Sequence, residues 1–187
     1  MKQYLLILLL PCLCFAQTAI KTDSLASPSK SKGNYSKVIG WKDGETPIAP
    51  SGFTVTKYAD GFKNPRWMYV TPNGDILVAQ SNSNYSLLKQ IGANLIGAGK
   101  SNNLKHSADI ITLLRDSNKD GIPELRETFL SESEGLNQPF GMLVIGNWFY
   151  VANTNAILRY PYKAGQTKLT GKEEKIVDLP AGKHNRH

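Results

Sequence analysis

The sequence predicts an all-β fold made of four-stranded antiparallel sheets that follow one another along the chain. Three observations predict it. Apolar and polar residues alternate at a period of two, an Asn-Gly turn separates two apolar runs, and a block of sequence recurs at an almost constant offset. A period of two sends successive side chains to opposite faces of a strand, so one face is buried and the other left wet. No segment after residue 52 keeps a helical apolar period for three turns.

The elements follow in order. Phe53, Val55 and Tyr58 alternate with Thr54, Thr56 and Lys57 and read as a leading, half-buried strand. Trp67–Val70 and Ile76–Ala79 flank Thr71-Pro72-Asn73-Gly74, a hairpin signal because Asn and Gly both tolerate positive φ. Ile110–Leu114 and Leu125–Leu130 form a second hairpin around a polar turn. Pro65–Val70 then realigns on Pro139–Val144 at an offset of 74, and Val78-Ala79 on Val151-Ala152 at 73. Ala156–Tyr160 and Glu174–Leu179 complete the second copy. Four antiparallel strands recurring in order are the signature of a β-propeller blade. The blades span 64–130 and 137–179, with a third starting near 187, and the first carries the insert 81–107, whose Asn, Gly and Ser content predicts a surface loop. A β-sandwich with chance internal similarity is the competing architecture.

Ahead of this body, residues 1–16 read as a signal peptide. Met1-Lys2 is a short positive start, Leu5 to Phe15 is apolar apart from Pro11, and Ala16 precedes Gln17. That stretch is shorter than the roughly 20 residues of a membrane span. Cys12 and Cys14 lie beyond the leucine run and admit a lipoprotein signal, but neither follows the small residue such a signal carries. Cleavage after Ala16 removes both cysteines, so the exported chain holds together without disulfides. Residues 17–51 form a polar leader of Ser, Thr, Lys, Pro and Gly with no apolar period. A propeller ring closes only with several blades of about 40–45 residues, so 52–187 is expected to be the N-terminal part of a larger protein.

Composition narrows the function classes. The chain carries 22 Lys+Arg against 15 Asp+Glu, a net +7, but the basic residues are scattered and form no stripe for a phosphate backbone. Nucleic acid is not indicated. Three His and two Cys argue against a structural Cys/His zinc site.

At Gly52-Phe53 through Asn64-Pro65-Arg66, Pro72-Asn73-Gly74-Asp75, Leu113-Leu114-Arg115-Asp116 through Pro123-Glu124, and Gly135–Met142 followed by Tyr150–Asn153, the chain resembles the sorbosone dehydrogenase family. These are relatives of the soluble quinoprotein glucose dehydrogenases. The resemblance implies a six-bladed propeller that binds pyrroloquinoline quinone (PQQ) at its axial face and oxidises sugars or sugar aldehydes. It also implies a c-type cytochrome or a respiratory quinone as electron acceptor.

In a propeller the loops entering each inner strand, and those joining second to third strands, gather on one face. Here they hold Asn64, Arg66, the 81–107 insert, Asn137, Gln138, Asn153 to Asn155 and His184 to His187. The family resemblance makes His187 the general base for the substrate hydroxyl proton, with His184 three residues away as the other counterpart. Imidazole suits the task because its unperturbed pKa lies near working pH. Arg66 is the candidate cation for a PQQ carboxylate or a substrate oxygen, or else a structural tie between blades. Asn137 and Gln138 either reach the same pocket or make a polar turn before Pro139.

One metal pattern is complete. Asp116 to Glu127 fits D-x-[DN]-x-[DN]-G-x5-E, with Asp116, Asn118 and Asp120 as side-chain donors, Gly121 at the bend and the Ile122 carbonyl as a further ligand. Glu124 or Glu127 completes the shell. Strands rather than helices flank it, so the expectation is a calcium-loaded hairpin, or an Asx-rich turn that holds its own backbone. The overall expectation is an exported PQQ-dependent sugar or aldehyde dehydrogenase. The alternatives are a non-catalytic carbohydrate- or protein-binding propeller and a calcium-dependent lactonase-type propeller, which would need an axial cluster of Glu, Asn and Asp.

Overall fold

The computed structural model describes residues 39–82, 86–95 and 107–181. The fold is all-β. Strands β1 (Pro65–Val70), β2 (Ile76–Gln80), β3 (Ile110–Arg115) and β4 (Leu125–Leu130) make one antiparallel sheet in the order β1-β2-β3-β4. Strands β5 (Met142–Ile145), β6 (Trp148–Ala152), β7 (Ala156–Pro161) and β8 (Glu174–Asp178) make a second in the same running order. All eight coincide with the apolar runs expected for the two repeats.

The sheets bury one face against each other. In the first, Leu77 lies opposite Leu113 and Ala79 opposite Ile111, so all four share a face, and each is fully buried. In the second, Phe149 pairs with Tyr160 and Val151 with Leu158, likewise buried. Phe129 and Phe149 meet edge-on with ring centroids 5.3 Å apart, the geometry that sets a positive ring edge on a negative ring face. Between the first strands of the two sheets, the Val144 amide donates to the Tyr69 hydroxyl at 3.0 Å. The Tyr160 hydroxyl donates to the Glu134 carbonyl at 2.6 Å, and burial holds its pKa well above that of free tyrosine.

Three expectations are corrected. Residues 53–58 form no strand, and Phe53 is 74% exposed. Alternation alone cannot supply a ladder partner, and the segment after it is tied down by side chains instead. Arg126, on the far face of the first sheet, donates to the Asp60 carbonyl at 2.6 Å and stacks over Phe62 at 4.4 Å, while the Lys63 amide donates to Gln80 Oε1 at 2.6 Å. Gln80 Nε2 in turn donates to Thr112 Oγ1 at 2.7 Å, so this buried amide is satisfied at both ends.

The second correction is within the insert: Leu87–Leu95 form a helix, α1, with Leu87, Leu88, Ile91 and Leu95 exposed, while Ser81, Asn82 and Ser107 at the ends of the insert are buried. At about two and a half turns it is too short for the apolar period to stand out. The third is the hairpin turn. The Gly74 amide donates to the Thr71 carbonyl at 2.9 Å, and only Gly74 takes positive φ, at 92°. Pro72 holds the ordinary negative φ of a type I turn, which leaves the left-handed step to the glycine.

Candidate functional site

The strand order brings four connections to one end of the sheet pair: the entry to β1, the link from β2 to β3, the entry to β5 and the link from β6 to β7. Polar side chains are concentrated there and buried. Gln80, Ser81, Asn82, Ser107, Asp109 and Asn153 are each less than a tenth exposed. A polar group withdrawn from water costs free energy unless it is hydrogen-bonded, and here the bonds run from loop to loop. The Ser81 amide donates to the Asn64 carbonyl at 3.2 Å, and Ser81 Oγ donates to the Pro139 carbonyl at 2.9 Å, joining the two sheets. The Asn82 amide donates to Ser107 Oγ at 2.8 Å, and Ser107 Oγ donates to Asp109 Oδ1. The same carboxylate oxygen accepts the Gln138 amide at 2.9 Å.

Three residues of this end hold left-handed backbone without being glycine: Asn64 at φ 52°, Asp109 at 45° and Gln138 at 50°. Such conformations cost of order 1–3 kcal/mol each and persist where the surroundings over-determine them.

Arg66 stands at this end with Nη1 donating to Ser81 Oγ at 3.3 Å and its guanidinium 5.0 Å from the Phe140 ring centroid. It therefore spans the two sheets while staying half-buried. Asn137 and Asn153 brace each other: Asn153 Oδ1 accepts the Asn137 amide at 3.1 Å, and its Nδ2 donates to the Gly135 carbonyl at 2.9 Å. His184 and His187 lie outside the described residues. Asp109 was not singled out from the sequence, although it is the one acidic residue between Asp75 and Asp116.

The metal-type loop sits at the other end of β3, roughly 17–20 Å away by strand length. Carboxylate oxygens of Asp116, Asp120 and Glu124 converge within 4.8 Å of one another. Asp116 Oδ2 accepts the Gly121 amide at 2.8 Å, Asn118 Oδ1 the Asp120 amide at 2.9 Å, and Asp120 Oδ1 the Ile122 amide at 2.8 Å. Glu124 closes the loop by accepting the Ser117 amide at 2.8 Å. Glu127 lies on β4 opposite Leu113, away from these three. Beside the loop, burial raises the Tyr58 pKa, and the charges of Asp116 and Glu124 raise it further.

A 530 Å³ cleft lies along the first sheet, lined by Lys63, Gln80, Thr112, Arg126 and Glu127 among others. No helix among the described residues is long and apolar enough to cross a membrane. Among protein-family models, curated proteins and solved structures, none matches this chain.

Proposed function

We propose that the two sheets are blades of a six-bladed β-propeller, and that the ring is an exported PQQ-dependent dehydrogenase for a sugar or sugar aldehyde. The observation that carries the reading is the junction between the sheets. Two consecutive four-stranded meanders pack with β1 against β5, and the loops that would face the axis form a polar rim of buried Ser81 and Asp109 beside the half-buried Asn64 and Gln138. The sequence resemblance supplies the chemistry.

PQQ is a flat tricarboxylate, and its carboxylates need cations. Arg66 fits that need, since Ser81 Oγ and the Phe140 ring hold its guanidinium in one orientation before any ligand arrives. PQQ bound at this rim would supply the two-electron acceptor for the substrate. His187 would take the substrate's hydroxyl proton, and a c-type cytochrome or quinone would receive the electrons. The single Asp109 carboxylate, already engaged by Ser107 and Gln138, is a poor start for the acidic axial cluster of a lactonase.

PQQ should give sugar-dependent dye reduction in metal-free, cofactor-free protein to which PQQ and calcium are restored. His187→Ala should bind PQQ as the parent does and lose turnover. Absence of both PQQ binding and turnover would sink the dehydrogenase and leave a binding propeller.

Calcium is proposed at the Asp116, Asn118, Asp120, Ile122 and Glu124 donors as a structural ion. A ligand at a hundred times its Kd stabilises by about 2.7 kcal/mol. Melting temperature should therefore rise by several degrees with millimolar calcium, and Asp116→Asn should abolish the rise. An unchanged melting curve in the parent would remove the metal.

A further inference from the structure

Pro65, Arg66, Trp67 and Met68 line a hollow of 440 Å³ at the start of β1, within the size range of small-molecule sites. Successive residues of a strand point to opposite faces, so a hollow that touches four in a row lies along the strand's edge and not on either face. β1 and β5 each stand first in the order of their sheet, with no ladder partner beyond them among the described residues. Further sheets of a longer chain would stack on the outer faces, as the second sheet stacks on the first, and would leave this edge open.

One wall of the hollow is aromatic. The Trp67 and Phe140 rings meet with centroids 5.1 Å apart and planes tilted by 38°. The Arg66 guanidinium stands 5.0 Å from the Phe140 centroid, with Nη1 donating to Ser81 Oγ. Trp67 shares the face of Tyr69 that turns to the second sheet, yet its side of the junction is open: Trp67 is 47% exposed and Phe140 39%. The repeat shows that a sheet of this kind does not require the group. At an offset of 74, Arg66-Trp67 realign on Phe140-Gly141, so the second copy forms its sheet with neither a guanidinium nor an indole at these positions.

An apolar plane bordered by a fixed cation is the complement of a cyclic sugar. A sugar ring carries hydroxyls around its rim and C–H bonds across each face, and those weakly positive hydrogens match the negative face of an indole. Arginine has five N–H donors, so Arg66 can serve a rim hydroxyl beside a PQQ carboxylate. We propose that Trp67 is the stacking surface for a sugar ring seated in this hollow, with Phe140 fixing the angle of the indole. As the seat of the substrate it rests on the dehydrogenase reading, and it selects a cyclic sugar over a short open-chain aldehyde.

Titration of the full chain with glucose, followed through the indole N–H signals in NMR, tests this. Trp41, Trp67 and Trp148 are the three tryptophans, and Trp67→Phe identifies the Trp67 signal by removing it. Glucose should move that signal. Trp67→Ala should bind glucose roughly tenfold more weakly, the scale of one aromatic contact and the area it covers. Trp67→Phe should recover most of the loss, and binding of glyceraldehyde, a short open-chain aldehyde, should change little in either variant. A Trp67 signal that glucose leaves unmoved overturns the proposal. An equal loss for glyceraldehyde overturns it too, by making Trp67 a packing residue, and an equal loss of PQQ affinity would give the indole to the cofactor instead. Glucose bound at Trp67 by a chain that takes up no PQQ would keep this site and sink the dehydrogenase. PQQ-dependent turnover with a KM for glucose indifferent to Trp67→Ala would keep the dehydrogenase and sink this site.

Discussion

Arg115→Met is expected to cost about 3–5 kcal/mol, the range for removing one partner from a buried ion pair. Asp75 has a side chain only 3% exposed, and Arg115 grips it with two bonds of 2.7 Å, from Nε to Oδ1 and from Nη2 to Oδ2. Asn73 Nδ2 adds a third bond at 2.7 Å. Methionine keeps much of the arginine stem's volume, so the loss isolates the charge. Burial pushes the Asp75 pKa up, but the bonds from Arg115 and Asn73 outweigh it and hold the carboxyl below its ordinary value. A depressed folded pKa means stability that is present above the unfolded value near pH 4 and is lost as pH falls through the folded one. The variant reverses the sign. With the cation gone, burial prevails, and the variant should gain stability as pH falls from neutral toward the mildly acidic range. Urea midpoints measured across that range should show the parent and variant converging in acid. Equal midpoints at neutral pH would mean that the pair contributes nothing.

Phe149→Ala should destabilise by about 3–5 kcal/mol, the usual cost of truncating a fully buried phenylalanine. Phe149 has no exposed surface, pairs with Tyr160 within its own sheet, and meets Phe129 of the other sheet edge-on. Its loss opens a cavity where the sheets touch, and neither sheet can collapse into it without breaking its ladder. A double-mutant cycle with Phe129→Ala should give a coupling of about 0.5–1.5 kcal/mol, the contribution of an aromatic pair beyond its buried area. Additive losses would show that the rings share a core without acting on each other, and a cost below about 1 kcal/mol would show that the sheets do not depend on this contact.

The strands were legible because their signals are local. Ile110–Leu114 and Leu125–Leu130 are bounded by turn-forming residues, and the observed β3 and β4 differ from them by a residue at most. The Asp116 loop was legible for the same reason: its donors, its glycine and its closing glutamate lie within a dozen positions. Two structural features escaped. Phe53 to Tyr58 alternates as a strand does, but pairing depends on a partner edge that local sequence does not specify. Asp109 carries no motif. Its weight comes from Ser107 beside it and from Gln138 in the next sheet, brought together by strand order alone.

The sequence by itself determined the fold class, the eight strands of the two sheets, the repeat and the acidic loop, since each rests on periodicity or spacing that the sequence carries. Only the tertiary structure decided which face of each sheet is covered, that Arg66 bridges Ser81 and Phe140, and that Glu124 rather than Glu127 joins Asp116 and Asp120. A period of two sorts side chains onto two faces without saying which neighbour each face meets. That choice belongs to contacts between residues dozens of positions apart, which exist only once the sheets have packed.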